Sequence, residues 1–225
     1  SAAGPGAAKA GLIVADAAHE EALTALAAQT KVVLSTAGPF ALYGSALVAA
    51  CVDQGTHYCD ITGETPWVRG VIDRHHEQAA ADGTRIVPCC GFDSVPSDIG
   101  ALLVASKVRR TSGQACVRIK ACHSMRGGLN GGTLASLLNL AEAGDLDQLA
   151  DTFLLNPEGP LPADRSAHAD PLAPRHDRDF DAWLAPFVMA AINTRVVRRS
   201  AALTPPRGSA YAPGMVYQEF LRTGR

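Results

Sequence analysis

The chain has 225 residues, 47% hydrophobic and 19% charged, with 20 basic against 22 acidic side chains and a formal net charge of −2. That balance creates no field to draw in nucleic acid or an anionic membrane, and no apolar run approaches the roughly 18 residues that span a bilayer. The length admits one large domain or two small ones, and with no basic and apolar leader pattern at its start the chain reads as soluble and cytoplasmic.

Residues 1–10 are Ala/Gly/Pro-rich, without periodicity or an initiator Met, and read as a cut end. An apolar run over 11–15, closed by Asp16, predicts a strand. Residues 19–28, with Leu23 and Leu26 on one face, predict a helix. The unit then repeats: a strand over 31–36, a Gly38-Pro39 turn, and a helix over 45–54 stopped by Gly55. A third strand is predicted over 57–61, an amphipathic helix over 66–82 ending at Gly83, and a fourth strand over 84–90. Strands that alternate with helices pair in parallel. The continuously apolar stretches 32–34 and 86–90 suit a sheet covered by helices on both faces, so the fold class is α/β, a Rossmann-like doubly wound parallel sheet.

After Pro96 a helix runs to about Lys107, where the alternation stops, dividing the chain into 1–107 and a second α+β domain over 108–225. Residues 114–123 alternate as a strand, with Val117, Ile119 and Ala121 on one face. A glycine-rich turn over 127–133 then leads to a helix over 133–143. Residues 156–179 are rich in proline and charge and read as a long surface loop or flap. A helix is expected over 186–199, and the chain stops just after an apolar patch at Tyr217, Phe220 and Leu221, without a cap.

In open parallel sheets ligands bind where the strand C-termini open into loops. Three loops qualify. In Ser35-Thr36-Ala37-Gly38-Pro39-Phe40 the glycine permits close approach, the proline stiffens the turn and Thr36 offers a hydroxyl, with Tyr43-Gly44 at the next helix start; a tight turn with no ligand is the lesser reading of these residues. Asp60-Ile61-Thr62-Gly63-Glu64 places two carboxylates at a strand end, where helix capping is the first reading of Asp60 and Thr62. In the third, from Gly91 to Asp98, Ser94 or Ser97 would cap the following helix, whereas Asp93 has no such local task. Asp16 would either cap a helix or lie beside an adenosine.

Other chemistries fare worse. Residues 4–9 carry two glycines at dinucleotide spacing, but no strand precedes them. The turn over 127–133 lacks the Lys-Ser/Thr ending of a P-loop. No serine sits in a nucleophile-elbow frame, which disfavours a hydrolase. Six cysteines (Cys51, Cys59, Cys89, Cys90, Cys116, Cys122) lie in apolar segments as free thiols do, without a CxxC. Cys89 and Cys90 on one extended strand would face opposite ways, so no metal site is expected. His75, His76 and His123 read as surface or satisfied core residues. Arg195, Arg198 and Arg199, three and four apart, read as a solvated cationic face, with an acidic-substrate clamp as the lesser reading.

Taken together, Ser35 to Phe40, Tyr43-Gly44, Val48-Ala49-Ala50-Cys51, Gly55-Thr56-His57-Tyr58-Cys59-Asp60, Thr62-Gly63-Glu64 and Gly91-Phe92-Asp93-Ser94-Val95-Pro96-Ser97-Asp98 resemble the saccharopine dehydrogenase-like oxidoreductases, above all their trans-acting enoyl reductase branch. Gly131-Gly132-Thr133 and residues 193–200 look similar to the family's second domain. The resemblance implies an NADP-binding Rossmann domain, with NAD as the other cofactor, and a substrate domain on an antiparallel sheet. It implies that Thr36, Ala37, Gly38, Pro39 and Phe40 border the cofactor, that Asp16 lies by the adenosine, and that Gly91, Phe92 and Ser94 line the nicotinamide side. Tyr43 and Asp93 are the catalytic candidates.

The family's first strand and glycine fingerprint have no counterpart here, so these 225 residues alone are expected to bind cofactor weakly or not at all. The expected partners are a small-molecule acyl or lipid substrate and a second copy in a homodimer, not nucleic acid or membrane. Saccharopine-forming members carry a shorter G-L-D-x-x-x-D pattern where this chain has Gly91-Phe92-Asp93 and a later Asp98, which points away from an amino-acid substrate. An amine or imine dehydrogenase, or a cofactor-binding module without turnover, is the alternative.

Overall fold

The computed structural model describes residues 11–124, 148, 150–205 and 209–223. Its first part follows the predicted alternation: α1 (Glu20–Ala27), β1 (Val32–Ser35), α2 (Phe40–Asp53), β2 (His57–Asp60), α3 (Thr65–Asp82) and β3 (Ile86–Val87). The strands form one parallel sheet in the order β1-β2-β3, with Val33 opposite Tyr58 and Tyr58 opposite Ile86. This is the Rossmann-like α/β arrangement expected.

Side chains alternate across a strand, and in β1 they separate cleanly. Val33 packs with Leu23 and Ala27 of α1, Val48, Cys51 and Val52 of α2, Tyr58 of β2, and Val68 and Val71 of α3. Val32 and Leu34 point the other way and are 52% and 67% exposed. The expectation of a sheet covered on both faces is therefore corrected: among the described residues α1, α2 and α3 pack on one face, and Val32, Leu34 and Val87 leave the other open.

Three boundaries differ from the sequence reading. Residues 11–16 form no strand, and Leu12 and Val14 are 92% and 91% exposed. A strand is held by a hydrogen-bonded neighbour, and among the described residues β1, first in the sheet order, pairs only with β2. The predicted strand over 84–90 shrinks to Ile86–Val87 because Cys89 turns to a positive φ of 58° and leaves the ladder. Cys89 and Cys90 are thus not on an extended strand, though one is buried and the other exposed as anticipated. Finally, α2 starts at Phe40 rather than 45, for a reason that lies in the candidate site.

The second part joins α4 (Val95–Ser112), β4 (Cys116–His123), β5 (Arg175–Asp177), β6 (Ala182–Pro186), α5 (Ala190–Leu203) and β7 (Tyr211–Arg222). Its sheet runs β4-β7-β6-β5, with β4 and β7 parallel and the other pairs antiparallel, so it is mixed rather than purely antiparallel. Ala101 and Ala105 of α4 and Val197 of α5 pack on Ile119 of β4 and on Met215 and Tyr217 of β7.

The helix expected over 186–199 is shifted, because residues 182–186 are a strand. A register shift between Cys116 and Arg118 breaks the predicted alternation and leaves Val117 68% exposed. The stretch 156–179 is not a free surface loop. His168, in a single 3-10 turn at Ser166–His168, is buried, and so is Asp177 of β5. The opening segment, the glycine-rich turn over 127–133 and the helix over 133–143 lie outside the described residues.

Candidate functional site

Loops leave the C-terminal ends of β1, β2 and β3 side by side. In the first, Thr36, Ala37 and Gly38 are exposed, the Gly38-Pro39 peptide is cis, and Phe40 turns inward so that its ring lies 5.8 Å from that of Trp67. The first N–H groups of a helix have no partner within it and favour an anion. Here Glu64 supplies one: Phe40 N and Ala41 N donate to its Oε1 and Oε2 at 3.0 and 2.7 Å. The carboxylate arrives from the second loop, and that cap lets α2 begin at Phe40.

Asp60 and Thr62 do not cap α3, the task read from sequence. Asp60, fully buried, accepts hydrogen bonds from Thr62 N, Cys89 N and Tyr58 Oη at 3.0, 3.0 and 2.9 Å. Burial raises its carboxyl above the usual carboxylate range, against the lowering influence of those donors. Glu64 N donates to Thr62 Oγ1 at 3.0 Å. Asp60 therefore fixes the second and third loops against each other, and Thr62 shapes the second so that Glu64 can reach α2.

Gly91 opens the third loop at a tight approach, since a Cβ there would stand 3.1 Å from Ile61 Cβ. Beyond it Phe92 is 89% exposed. Ser94 and Ser97 do not cap α4 with their side chains. Instead Ser94 Oγ donates to Asn193 Oδ1 at 2.9 Å, and Asn193 Nδ2 donates to Ser97 Oγ at 3.2 Å and Glu219 Oε2 at 3.0 Å. Asn193 lies in the first turn of α5. One residue earlier, Ile192 approaches Gly63 so closely that a Cβ on the glycine would meet its Cδ1 at 2.9 Å. The strand-end loops of the first sheet thus meet the helix that covers the second.

Of the residues singled out from sequence, Thr36, Ala37, Gly38, Pro39 and Phe40 form the first loop, and Gly91, Phe92 and Ser94 the third. Tyr43 and Asp93 are exposed, and neither makes a side-chain hydrogen bond with another described residue. Asp16 is exposed and acts locally, accepting from Ala18 N at 2.9 Å and facing His19 at 3.6 Å.

The arginines correct the solvated-face reading. Arg195 and Arg198 are 1% and 3% exposed. Arg195 pairs with Asp170, Arg198 donates to the carbonyls of Thr152, His168 and Tyr217, and Arg199 donates to that of Leu155.

Sequence reasoning missed Asn193 and Glu219, which no spacing connects to Ser94, and it set His123 aside. Cavities of about 580 and 330 Å³ lie elsewhere, the first between Phe153 and Met215, the second between α3 and Arg199. Among the described residues, no group of His, Cys, Asp or Glu is arranged to hold a metal ion, and no helix is long and apolar enough to cross a membrane.

Residues 5–87 match the family described as the saccharopine dehydrogenase NADP binding domain. A Mycobacterium tuberculosis protein named as a trans-acting enoyl reductase is 39% identical over 95% of this chain and 52% of its own length. Trans-acting enoyl reductases of Mycobacterium leprae and Mycobacterium bovis are 39% and 38% identical, each over 99% of this chain and 55% of theirs. The chain spans about half the length of these relatives. No solved structure matches it.

Proposed function

Because the chain is saccharopine dehydrogenase-like through residues 5–87 and similar along nearly all its length to proteins named trans-acting enoyl reductases, we propose that the intact protein is an enoyl reductase. In this reading it uses NADPH, with NADH as the other donor, and acts in the cytoplasm on an acyl or lipid intermediate. The observation that carries the reading is the meeting of the strand-end loops with α5, through Ser94 on Asn193 and Gly63 against Ile192. Ligands of parallel α/β sheets sit at such strand ends.

The residues present suit one end of a dinucleotide better than the other. Glu64 already fills the anion position at the α2 N-terminus, so a diphosphate does not belong there. The exposed backbone at Ala37-Gly38 and the close-packed Gly91 beside the projecting Phe92 suit a flat ring. Thr36 to Phe40 would border the cofactor, Gly91, Phe92 and Ser94 would line its nicotinamide, and Asp16 would lie by the adenosine.

The bound dinucleotide would supply the hydride. The protein must then hold the substrate carbonyl as enolate character develops and deliver a proton to the α-carbon. Tyr43 and Asp93, exposed beside the first and third loops, are the candidates for polarising that carbonyl or delivering the proton.

The test compares NADPH oxidation by the intact protein with an enoyl thioester against a 2-oxo acid plus an amine. Turnover of the enoyl thioester alone is the expected result. Turnover with the oxo acid and amine alone would replace the reading with an amine dehydrogenase. Binding of NADPH without oxidation by either would leave a cofactor-binding module.

A further inference from the structure

A carboxylate with no exposed surface needs a reason. Glu219 sits in the middle of β7 with 0% exposure, where desolvation alone costs several kcal/mol. Asn193 Nδ2 donates to its Oε2 at 3.0 Å and Tyr217 Oη to its Oε1 at 2.7 Å. Its carboxyl would rise through burial, but the neighbouring His123, Ser97, Tyr217 and Asn193 outweigh this and hold it below the ordinary value, so the carboxylate is charged at neutral pH.

The third side of this cluster is His123, the last residue of β4. In the parallel pairing Ala121 lies opposite Glu219 and Ile119 opposite Tyr217, so Ile119, Ala121 and His123 share a face with Tyr217 and Glu219. His123 Nε2 stands at an ion-pair distance of 3.5 Å from Glu219 Oε1, without a hydrogen bond, and is buried, so the 31% exposure of the side chain lies on its other atoms. The ring is also stacked on Phe187, centroids 4.5 Å apart and planes 16° from parallel. An imidazole is thus stacked on one side, faces a carboxylate at ion-pair distance from one nitrogen, and is open elsewhere. That is how a proton-transferring histidine is kept in one tautomer. Tyr217 on the same strand and Asp98 on α4 are the other titratable groups of the cluster. Through Asn193 the carboxylate is joined to Ser94 of the third strand-end loop.

We propose that His123 is the proton donor of the reaction and Glu219 its positioning residue, with Asn193 tying the pair to the Gly91–Ser94 loop. This rests on the enoyl reductase reading. Hydride addition at the β-carbon of the enoyl thioester, with the reduced nicotinamide as the electron source, breaks the C=C π bond and leaves an enolate. The N–H bond of the His123 imidazolium breaks as the α-carbon gains its hydrogen, and the neutral imidazole then takes a proton from solvent. The carbonyl oxygen is left to Tyr43 or Asp93.

Two measurements on the intact protein test the pair separately from the reaction. The first follows the His123 imidazole by NMR, assigned by the signal lost in H123Q. The ring-nitrogen shifts, which report the tautomer, are expected to move in E219Q, and shifts that E219Q leaves in place overturn the dyad. The second compares H123Q with wild type. NADPH affinity, read by fluorescence, and KM stay within about three-fold, while kcat falls about 10²- to 10⁴-fold.

H123Q retaining kcat within three-fold overturns the donor role, even where the wild type reduces enoyl thioesters. A wild type that reduces none overturns the enoyl reductase reading and the donor role with it, while the ring-nitrogen shifts still decide the dyad. H123Q alters a partly exposed ring and leaves the buried carboxylate in place, so it serves where E219Q fails to fold.

Discussion

Gly44 has to be glycine because α2 crosses the indole of Trp67 there. A Cβ would lie 2.7 Å from Trp67 Cζ2, and the indole cannot easily retreat because its Nε1 donates to Ser45 Oγ at 2.9 Å. Gly44→Ala should therefore destabilise the protein by about 1–3 kcal/mol, in the manner of an overpacked core, seen as a lower urea midpoint with an unchanged slope. At this scale the sequence was legible wherever the reason is local. The turn residues Gly38 and Pro39 and the glycine at 91 stand where strand-end loops were expected. Glu64 was visible as a carboxylate in a loop, but its partners are 23 and 24 residues upstream, and a cap supplied from another loop leaves no spacing to read. His123 was discounted for the same reason, since Glu219 faces it only through the pairing of β4 with β7.

Helix α5 shows where spacing misleads at the level of an element. Arginines three and four apart do share a face, but that face is covered by residues 152–168 and by β7, and the guanidinium groups of Arg198 and Arg199 donate to backbone carbonyls there. Arg198→Met removes donors to three such carbonyls and should cost about 3 kcal/mol or more, the unpaired acceptors outweighing the added apolar contact. A thermal melt checks the direction, and a variant as stable as wild type would show that water replaces the guanidinium. The two-residue β3 and the 12-residue β7 were misjudged in opposite senses. In the first, Asp60 draws the Cys89 N–H out of the ladder. In the second, the apolar residues near the chain end were seen without the ladder that makes them a strand.

Across the whole molecule, the outer strands of the second sheet are tied by charge. Lys120 of β4 donates to Asp177 of β5 at 2.8–2.9 Å and also pairs with Asp179, although β7 and β6 intervene in the sheet order. The bond from Lys120 holds the Asp177 carboxyl below its ordinary value. Burial alone would lower Lys120, but its bonds to the two aspartates prevail and raise it. For a lowered carboxyl the stabilising contribution is present above the unfolded value of about 4 and is lost as pH falls through the folded value. For a raised lysine it is present below about 10 and is lost above the folded value. Asp177→Asn should therefore lower stability at neutral pH and flatten its loss toward about pH 3, measured as urea midpoints across that range. Parallel alternation made the first sheet readable from its own segment. The second sheet was only half readable, because β4 and β7 are joined across about ninety residues of chain.

The central place of β7 also dictates an order of assembly during synthesis. The ribosome releases β4, then the β5–β6 hairpin, as pieces that share no ladder, and the strand that must lie between them follows both. A nascent chain arrested before Tyr211 should resist protease across β1, β2 and β3, which are by then paired, while residues 116–123 and 175–186 are cut. Protection of those segments would then arrive in one step as β7 clears the exit tunnel, and until that moment the half of the molecule bearing His123 has no carboxylate for it to face.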